Sequence, residues 1–374
     1  MKIAFITPFP PYRGGISKHS ENIYNELKKN HQIDVFNFKR QYPDFLFPGK
    51  TQYLKDNEKE YNSFRIIDSI NPLSWKKTSL EIVKGKYNKV IFRFWHPFFA
   101  PAYISIIKNI NKLTDTPSFY AICDNIIPHE NFLFQKFLIR NFLSKLDKII
   151  VMSDQVENEV KSIDDNYNYK KLFLPILNDL NPLIDKNDAC RNLGITNNKT
   201  NFLFFGLIRD YKGLDVFLNS LNYLDKSIEK NIRILIAGEF YDNKIKYKNL
   251  CKNKNIEIKW FDNYIPDNLV HNYFCASDFA VLPYKTASQS GIIPMAYHFN
   301  TPVIVSNLAS LVKNVVIGKT GLKFESESAK SLASLITSIM NKHQKNDFLY
   351  INEYKNNYST KLFIKKLILI LNSK

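Results

Sequence analysis

Short apolar segments alternate with helical patterns along almost the whole chain. The apolar segments are residues 2–7, 89–94, 118–123 and 148–153 in the first half, and residues 201–206, 232–238, 256–261, 279–284 and 302–306 in the second half. Strands that lack a polar face are typical of parallel sheets covered by helices on both sides. The alternation therefore predicts an α/β protein built from doubly wound parallel sheets.

The alternation weakens between about residues 171 and 200, a stretch that is rich in Asn, Asp and Pro and has poor periodicity. A chain of 374 residues is expected to contain about two domains. We therefore predict an N-terminal domain at residues 1–175, a linker at 176–200 and a C-terminal domain at 201–355. A last helical pattern, at residues 356–374, follows the second domain.

The composition is that of an ordinary globular protein, with 45% hydrophobic and 23% charged residues. No run of eighteen apolar residues is present, so a membrane-spanning helix is not expected. The N-terminus lacks a small-residue cleavage site and reads as a first strand, which predicts a cytoplasmic protein. The four cysteines are scattered without CxxC spacing, so neither a zinc site nor a disulfide framework is expected.

The net charge of +17 suggests an anionic partner. Nucleic acid is disfavoured, because the basic residues form no long block and accompany no RNA-binding, zinc-finger or heptad pattern. An anionic membrane surface or a phosphorylated ligand fits the charge at least as well.

Two cations stand at an unusual place in the segment FFGLIRDYKGLDVFL, residues 204–218. The segment begins as a buried strand and ends as an amphipathic helix, and Arg209 and Lys212 lie between the two. A helix N-terminus favours anions, so cations there become favourable only once an anion lies between them and the helix. Gly206 and Gly213 would let the backbone approach such a ligand. The spacing leaves two interpretations open, a diphosphate site and a solvated surface turn.

Two further loops follow predicted strands. Gly14 and Gly15 open the first helix without forming a GxGxxG fingerprint, so they indicate either close approach of a phosphate or acceptor group, or a simple tight turn. The polar segment 288–292 opens a short helix in the second half. Ligands bind beyond the carboxyl ends of parallel strands, which predicts a site in a cleft between the two domains.

In order along the chain, the Gly-Gly loop, GLIRDYKG, SQSG and AYHFNTPVIV resemble the retaining glycosyltransferases of family 4, which have the GT-B fold. The resemblance extends over nearly the whole chain and is strongest at residues 201–325. It implies two Rossmann-like domains facing a cleft, with the acceptor on the N-terminal domain and a nucleotide-sugar donor on the C-terminal domain. It also implies a C-terminal helix that returns to the N-terminal domain.

The resemblance assigns roles to individual residues. Arg209 and Lys212 would neutralise the diphosphate of the donor without a bound metal or other cofactor, and the leaving phosphate would help to deprotonate the acceptor hydroxyl. The residues predicted to contact the donor or its nucleotide are Gly14, Gly15, Gly206, Glu239, Ser288, Gln289, Ser290, Gly291 and Ile292.

One departure from the family concerns two glutamates. The position of the second is occupied by Met295, and near the position of the first stand Ala287, Ser288 and Gln289. Both carboxylates are therefore missing. Neutral side chains and backbone N–H groups at residues 288–292 are predicted to hold sugar hydroxyls and phosphate in their place.

Two loops of the first half carry candidates for the acceptor side. Trp95 and His96 follow one predicted strand, and Asp124 and Asn125 follow the next, with His129 a few residues later. The resemblance suggests a catalytic contact for His129 with donor sugar or acceptor. The alternatives are a histidine that caps backbone groups and an aromatic cluster that belongs to the core.

Residues 132–148 predict an amphipathic helix with Lys136, Arg140 and Lys145 outside its apolar face. It could lie on an anionic membrane that holds a lipid-linked acceptor, or it could simply cover a sheet.

Taken together, the sequence predicts a retaining hexosyltransferase that moves a sugar from a nucleotide-diphosphate donor to a glycan or lipid-linked hydroxyl. A location in the cytoplasm, with peripheral contact at the inner face of the membrane, accompanies this prediction. The alternative is a non-catalytic GT-B protein that binds a nucleotide or a partner enzyme.

Overall fold

The computed structural model describes residues 1–43, 52–53, 61, 63–115, 117–127, 134–178, 180–241, 243–250, 255–341 and 348–373. The chain forms two compact units. Unit 1 comprises Met1–Leu177 together with Thr360–Lys374, and unit 2 comprises Asn178–Ser359.

Unit 1 is built on a seven-stranded parallel sheet with the order β3-β2-β1-β4-β5-β6-β7. The strands are β1 (Lys2–Ile6), β2 (Gln32–Arg40), β3 (Ser63–Asp68), β4 (Lys89–Phe94), β5 (Ser118–Cys123), β6 (Lys148–Val151) and β7 (Tyr169–Lys171). The helices are α1 (Gly15–Leu27), α2 (Pro72–Gly85), α3 (Ala100–Asn111), α4 (Gln135–Leu143) and α5 (Asp154–Ile163). The last helix of the chain, α15 (Thr360–Asn372), completes the unit.

Helices cover both faces of this sheet. Since successive residues of a strand point to opposite faces, each strand contributes side chains to the clusters on both sides. In β4, Phe92 and Phe94 join the cluster formed with α2 to α5, while Ile91 joins the cluster formed with α1 and α15. Helix α15 contributes Phe363 and Leu367 to the second cluster, and both are fully buried. The expected return of the C-terminal helix to the N-terminal domain is therefore present.

Unit 2 is built on a six-stranded parallel sheet with the order β10-β9-β8-β11-β12-β13. Its strands are β8 (Thr200–Phe205), β9 (Ile232–Ala237), β10 (Glu257–Phe261), β11 (Phe279–Leu282), β12 (Val303–Ser306) and β13 (Gly321–Phe324). Its helices are α6 (Lys186–Asn192), α7 (Leu214–Ser220), α8 (Lys226–Glu229), α9 (Lys244–Asn249), α10 (Val270–Cys275), α11 (Ile292–His298), α12 (Ala309–Val312), α13 (Ala329–Asn341) and α14 (Ile351–Tyr354).

The prediction of two doubly wound parallel sheets is confirmed. The stretch predicted as a linker, 176–200, contains helix α6, which packs against α10 through buried Ala189 and Cys190 and belongs to unit 2. The Asn192 side chain of this helix also donates to the Asn272 side chain of α10 at 2.8 Å. No helix in the described residues is long and apolar enough to cross a membrane.

Candidate active site

In the sheet of unit 2, the order in which successive strands are added reverses between β8 and β11. Strands β9 and β10 follow on one side of β8, and β11 to β13 lie on the other. The segments that leave the carboxyl ends of β8 and β11 therefore diverge, and open α/β sheets bind ligands in the crevice formed there. Arg209 and Lys212 lie in the segment after β8, and residues 288–292 lie in the segment after β11. The structure thus brings two predicted groups to one edge of unit 2.

The cationic segment after β8 is a single turn of 3₁₀ helix, Asp210–Lys212, and α7 begins only at Leu214. Gly213 separates the two with a φ of 68°. A Cβ atom at this glycine would lie 1.8 Å from the carbonyl oxygen of Pro283. Glycine is required here both by its backbone conformation and by the contact with the segment after β11.

Arg209 and Lys212 both lie over aromatic rings. The guanidinium carbon of Arg209 is 4.9 Å from the ring centroid of Tyr241, and Lys212 Nζ is 5.7 Å from that of Tyr284. Burial, together with the nearby charge of Arg209, lowers the pKa of Lys212 to about 8. A cation disfavoured by burial and by a like charge is stabilised when an anion binds beside it.

A third cation at this edge, Lys285, is paired with carboxylates. Its Nζ lies 3.0 Å from Oδ2 of Asp210 and 3.0 Å from Oδ2 of Asp215, and its backbone N–H donates to the carbonyl of Tyr211 at 2.8 Å. Burial works against the charge of Lys285, but the bonds to Asp215 and Asp210 outweigh it and raise its pKa. Lys285 therefore ties the 3₁₀ turn to the end of β11.

The charge of Lys285 is balanced by its two carboxylate partners, whereas the charges of Arg209 and Lys212 are not balanced in this way by any described carboxylate. Within the described part of the chain, neither Arg209 nor Lys212 forms an ion pair with a carboxylate. The two positive charges at the crevice are thus available to an anionic ligand.

The loop predicted to hold sugar or phosphate reaches the same place. A Cβ atom at Gly206 would lie 3.0 Å from Lys212 Nζ and 3.7 Å from Cδ1 of Ile292. Ser290 Oγ accepts from the Ile292 N–H at 3.2 Å and lies 3.4 Å from the Tyr284 hydroxyl. The end of β8, the Lys212 ammonium group and the start of α11 therefore meet.

Three other members of this loop differ in exposure. Ser288 is partly exposed and Gly291 is exposed. The Oε1 atom of Gln289 is buried and has no hydrogen-bond partner among the described residues. A buried amide oxygen without a partner loses about 1–3 kcal/mol, which a ligand O–H or N–H would recover. Met295 occupies α11, where the family resemblance would place a glutamate.

Glu239 follows β9 and is held beside the cationic turn by backbone pairing. Its carbonyl accepts from the Ile208 N–H at 2.8 Å, and the Tyr241 N–H donates to the Ile208 carbonyl at 3.0 Å. This pairing also places the Tyr241 ring under Arg209.

In the sheet of unit 1, the strand order reverses in the same way between β1 and β4. Gly14 and Gly15 lie in the segment after β1, and Trp95 and His96 in the segment after β4. Gly14 has a φ of 110°, and a Cβ atom at either glycine would meet none of the described residues within 4 Å. Within the described part of the chain nothing packs against these two positions, and Gly14 is required by its backbone conformation.

The two candidates after β4 make structural contacts. Trp95 is 9% exposed, packs on Phe99 with ring centroids 4.2 Å apart, and donates to the Tyr42 hydroxyl at 2.8 Å. The Nδ1 atom of His96 accepts from the Phe98 N–H at 3.1 Å and begins a 3₁₀ turn. These contacts match the structural alternatives weighed for both residues, and their acceptor role stays a prediction. His129 lies outside the described residues.

Asp124 belongs to a buried polar group that the sequence did not reveal. Its carboxylate pairs with Arg93 of β4, which is 1% exposed, and Arg93 Nη2 lies 2.7 Å from Nδ1 of His19. An arginine can only donate, so Nδ1 accepts and the hydrogen of His19 is on Nε2. Burial, and then the charge of Arg93, lower the pKa of His19, which keeps the imidazole neutral. Asn125 follows directly and is partly buried.

Metal ligation finds no support among the described residues, where no group of three or more His, Cys, Asp or Glu side chains could hold an ion. Cys123, Cys190 and Cys275 are free thiols, and Cys251 lies outside the described residues.

The fold of the chain is shared with solved glycosyltransferase structures. Over nearly the entire chain the fold is that of the GT-B glycosyltransferases: a UDP- and glucose-bound Anabaena protein superposes with a TM-score of 0.72 at 12% identity, covering 99% of this chain and 98% of that chain. A lipopolysaccharide outer core galactosyltransferase in its apo form superposes with a TM-score of 0.71 at 13% identity, covering 98% of each chain.

Sequence comparison matches the second unit to a family model. Residues 185–356 match the family described as glycosyl transferases group 1. A protein of Methanocaldococcus jannaschii described as an uncharacterized glycosyltransferase is 22% identical over 347 residues, covering 92% of this chain and 90% of the relative. The family match therefore covers nearly all of unit 2, and the chain as a whole has the GT-B fold.

Proposed function

We propose that the protein transfers a sugar from a nucleotide-diphosphate donor to a hydroxyl of a glycan or lipid-linked acceptor, with retention of configuration. The observation that carries the proposal is the charge at the switch point of unit 2. Arg209 and Lys212 converge there without a described carboxylate, whereas Lys285 beside them is neutralised by Asp210 and Asp215. A diphosphate is the ligand whose two negative groups suit two such cations.

The reaction needs no charged nucleophile from the protein. The bond between the anomeric carbon and the phosphate oxygen breaks, and the electron pair leaves with the nucleotide diphosphate. The acceptor oxygen forms the new bond on the same face of the sugar, and its proton passes to the leaving phosphate. Arg209 and Lys212 stabilise the charge that develops on that phosphate, which is the contribution expected of preorganised cations.

The donor sugar is assigned to the loop at residues 288–292. The orphaned Oε1 atom of Gln289 would accept from a sugar hydroxyl, a role that a carboxylate commonly fills. Related GT-B structures support a uridine nucleotide as the first donor class to try, because the Anabaena protein was solved with UDP and glucose.

The experiment is donor binding and turnover with single variants. Arg209→Ala and Lys212→Ala should each weaken nucleotide-diphosphate binding about tenfold or more, the effect of losing one charge-assisted hydrogen bond. Lys230→Ala is the matched control, because this exposed lysine precedes β9 at the opposite edge of the sheet. Binding that stays within about twofold in both site variants would contradict the assignment.

A second candidate function is nucleotide binding without transfer. It is favoured by one observation, the absence of both family glutamates at Met295 and near Ala287. Calorimetry with nucleotide diphosphates and product detection with sugar donors separate the two functions. Tight binding without transfer or hydrolysis of any donor would support the second candidate.

A further inference from the structure

One face of unit 1 combines exposed apolar side chains with an excess of positive charge. Helices α2, α3 and α4 cover this face, and α3 packs between the other two. Together they contain six basic residues and one acidic residue. The basic residues are Lys76, Lys77, Lys84, Lys108, Lys136 and Arg140, and the acidic residue is Glu81.

The exposed side of α2 is a stripe of leucine and lysine. Leu73, Lys76, Lys77, Leu80 and Lys84 have the spacing of a single helix face, and all five are exposed. The opposite side of α2 carries the buried residues Thr78, Ser79 and Ile82. Leu73 is 77% exposed and Leu80 is 48% exposed. The helix therefore packs one side against the rest of the unit and also exposes apolar side chains to solvent on the other side.

Helix α4 repeats the combination. Phe134 and Phe137 are 79% and 66% exposed, and Lys136 lies exposed between them. The inner side of α4 buries Ile139, Phe142 and Leu143 against the sheet. The helix therefore covers the sheet, as one interpretation of the sequence expected, and still presents two aromatic rings outward.

The topology places these side chains at the same end of the unit. Helices α2, α3 and α4 each connect a strand to a later parallel strand, so each begins at the carboxyl edge of the sheet. Leu73 and Phe134 stand at the starts of α2 and α4. Neighbouring packed helices are about 8–10 Å apart, so the two starts are separated by roughly 20 Å.

We propose that this face docks on an anionic phospholipid bilayer; it is defined by Leu73, Lys76, Lys77, Leu80 and Lys84 of α2, by Lys136 and Phe137 of α4, and by Phe134, which directly precedes α4. Single exposed leucines are ordinary on protein surfaces. Here they alternate with lysines on one stripe, and the lysines complement lipid phosphates while leucine and phenylalanine enter the acyl boundary. A nucleic acid would attract the lysines but would leave Leu73 and Leu80 without a partner.

Vesicle co-sedimentation tests the proposal without any sugar donor, so its outcome is independent of the proposed transfer activity. The wild-type chain should bind vesicles of phosphatidylcholine with phosphatidylglycerol, bind pure phosphatidylcholine much more weakly, and lose affinity as salt is raised. The double variant Lys76→Gln with Lys77→Gln should weaken partitioning at least about tenfold, since each surface cation contributes substantially to anionic binding. Phe134→Ser with Phe137→Ser should reduce it by a similar factor.

The matched control is Ile245→Ser on α9 of unit 2. Ile245 is 67% exposed and also lies between lysines, but those lysines pair with Asp262 and Asp210. This variant should bind vesicles like the wild type. Circular dichroism shows whether each variant is folded, and since all substituted side chains are exposed we expect unchanged spectra.

Three outcomes would overturn the proposal. They are no binding to anionic vesicles at low salt, equal binding by the two face variants and the wild type, and face-dependent binding to single-stranded RNA in the absence of vesicle binding.

Discussion

At the scale of single residues, Lys212 makes donor binding sensitive to pH. Its pKa of about 8 in the ligand-free protein means that its charge is lost as the pH rises through this value. Since a diphosphate binds the protonated form, affinity should be constant near pH 6 to 7 and fall above about pH 8. Calorimetric titration of a nucleotide diphosphate between pH 6 and pH 9.5 measures this dependence.

Two variants identify the source of that pH dependence. Lys212→Arg should abolish the decline, because arginine stays charged throughout this range. Arg209→Ala removes a neighbouring like charge, so the midpoint should move upward even as the affinity drops. An unchanged midpoint in Arg209→Ala would show that another group titrates.

The residue scale also shows what the sequence could and could not reveal about the site. Arg209, Lys212 and the loop at 288–292 were recognisable because each follows an apolar strand within a few residues. The pairing of Lys285 with Asp215 joins positions far apart in the chain, and no local pattern announces it. Arg93 was hidden for a different reason, since it sits inside the apolar strand KVIFRF and its partners His19 and Asp124 come from two other segments.

At the scale of secondary-structure elements, Gly213 couples the cationic turn to the end of β11. Gly213→Ala should destabilise unit 2 by about 2–5 kcal/mol, from the left-handed backbone and from the clash with the Pro283 carbonyl. Gly194→Ala is the matched control, because its φ of 65° is nearly the same and a Cβ atom there would meet no described residue within 4 Å. It should cost only about 1–2 kcal/mol.

Thermal and urea denaturation of the two glycine variants provide the measurement. A larger loss in Gly213→Ala than in Gly194→Ala isolates the contact between the turn and β11. Equal losses would mean that the turn moves away from Pro283 without cost, and the conclusion that this contact requires glycine at position 213 would be wrong.

The central strands were predictable from their apolar composition, and several of the outer ones were not. Strands β3, β7 and β13 lie at sheet edges, where one side is partly open and polar residues are tolerated, as in YKK of β7. Strand β2 lies inside the sheet but contains Asn37, which is fully buried and bonds to the backbone of Phe9 and Pro10. A polar side chain that is satisfied only in the folded protein breaks the apolar pattern on which the prediction depended.

At the scale of the whole molecule, α15 is separated from its own unit by the entire length of unit 2. Phe363 is fully buried against the sheet of unit 1 and contacts the rings of His19 and Phe173. Phe363→Ala should therefore lower the free energy of unfolding by about 3–5 kcal/mol, and only unit 1 should be destabilised.

Hydrogen exchange resolved by peptide distinguishes the two units. In Phe363→Ala, peptides from β1, α1 and α15 should exchange faster, while those from β8 and β9 should keep wild-type protection. Leu369→Ala on the same helix is the control, because this side chain is 63% exposed and its removal should change little. Faster exchange spread evenly over both units would indicate that they unfold as one.

The discontinuity of unit 1 has a consequence for synthesis on the ribosome. Strands β1 to β7 leave the exit tunnel before unit 2 does, yet the side of their sheet that α15 covers stays uncovered until α15 itself has been translated. Unit 2 has been fully translated before that moment. We therefore expect unit 2 to finish folding before unit 1, although most of unit 1 is synthesised first. During this interval, the uncovered groove beside α1 is the part of the chain that a chaperone would be expected to shield.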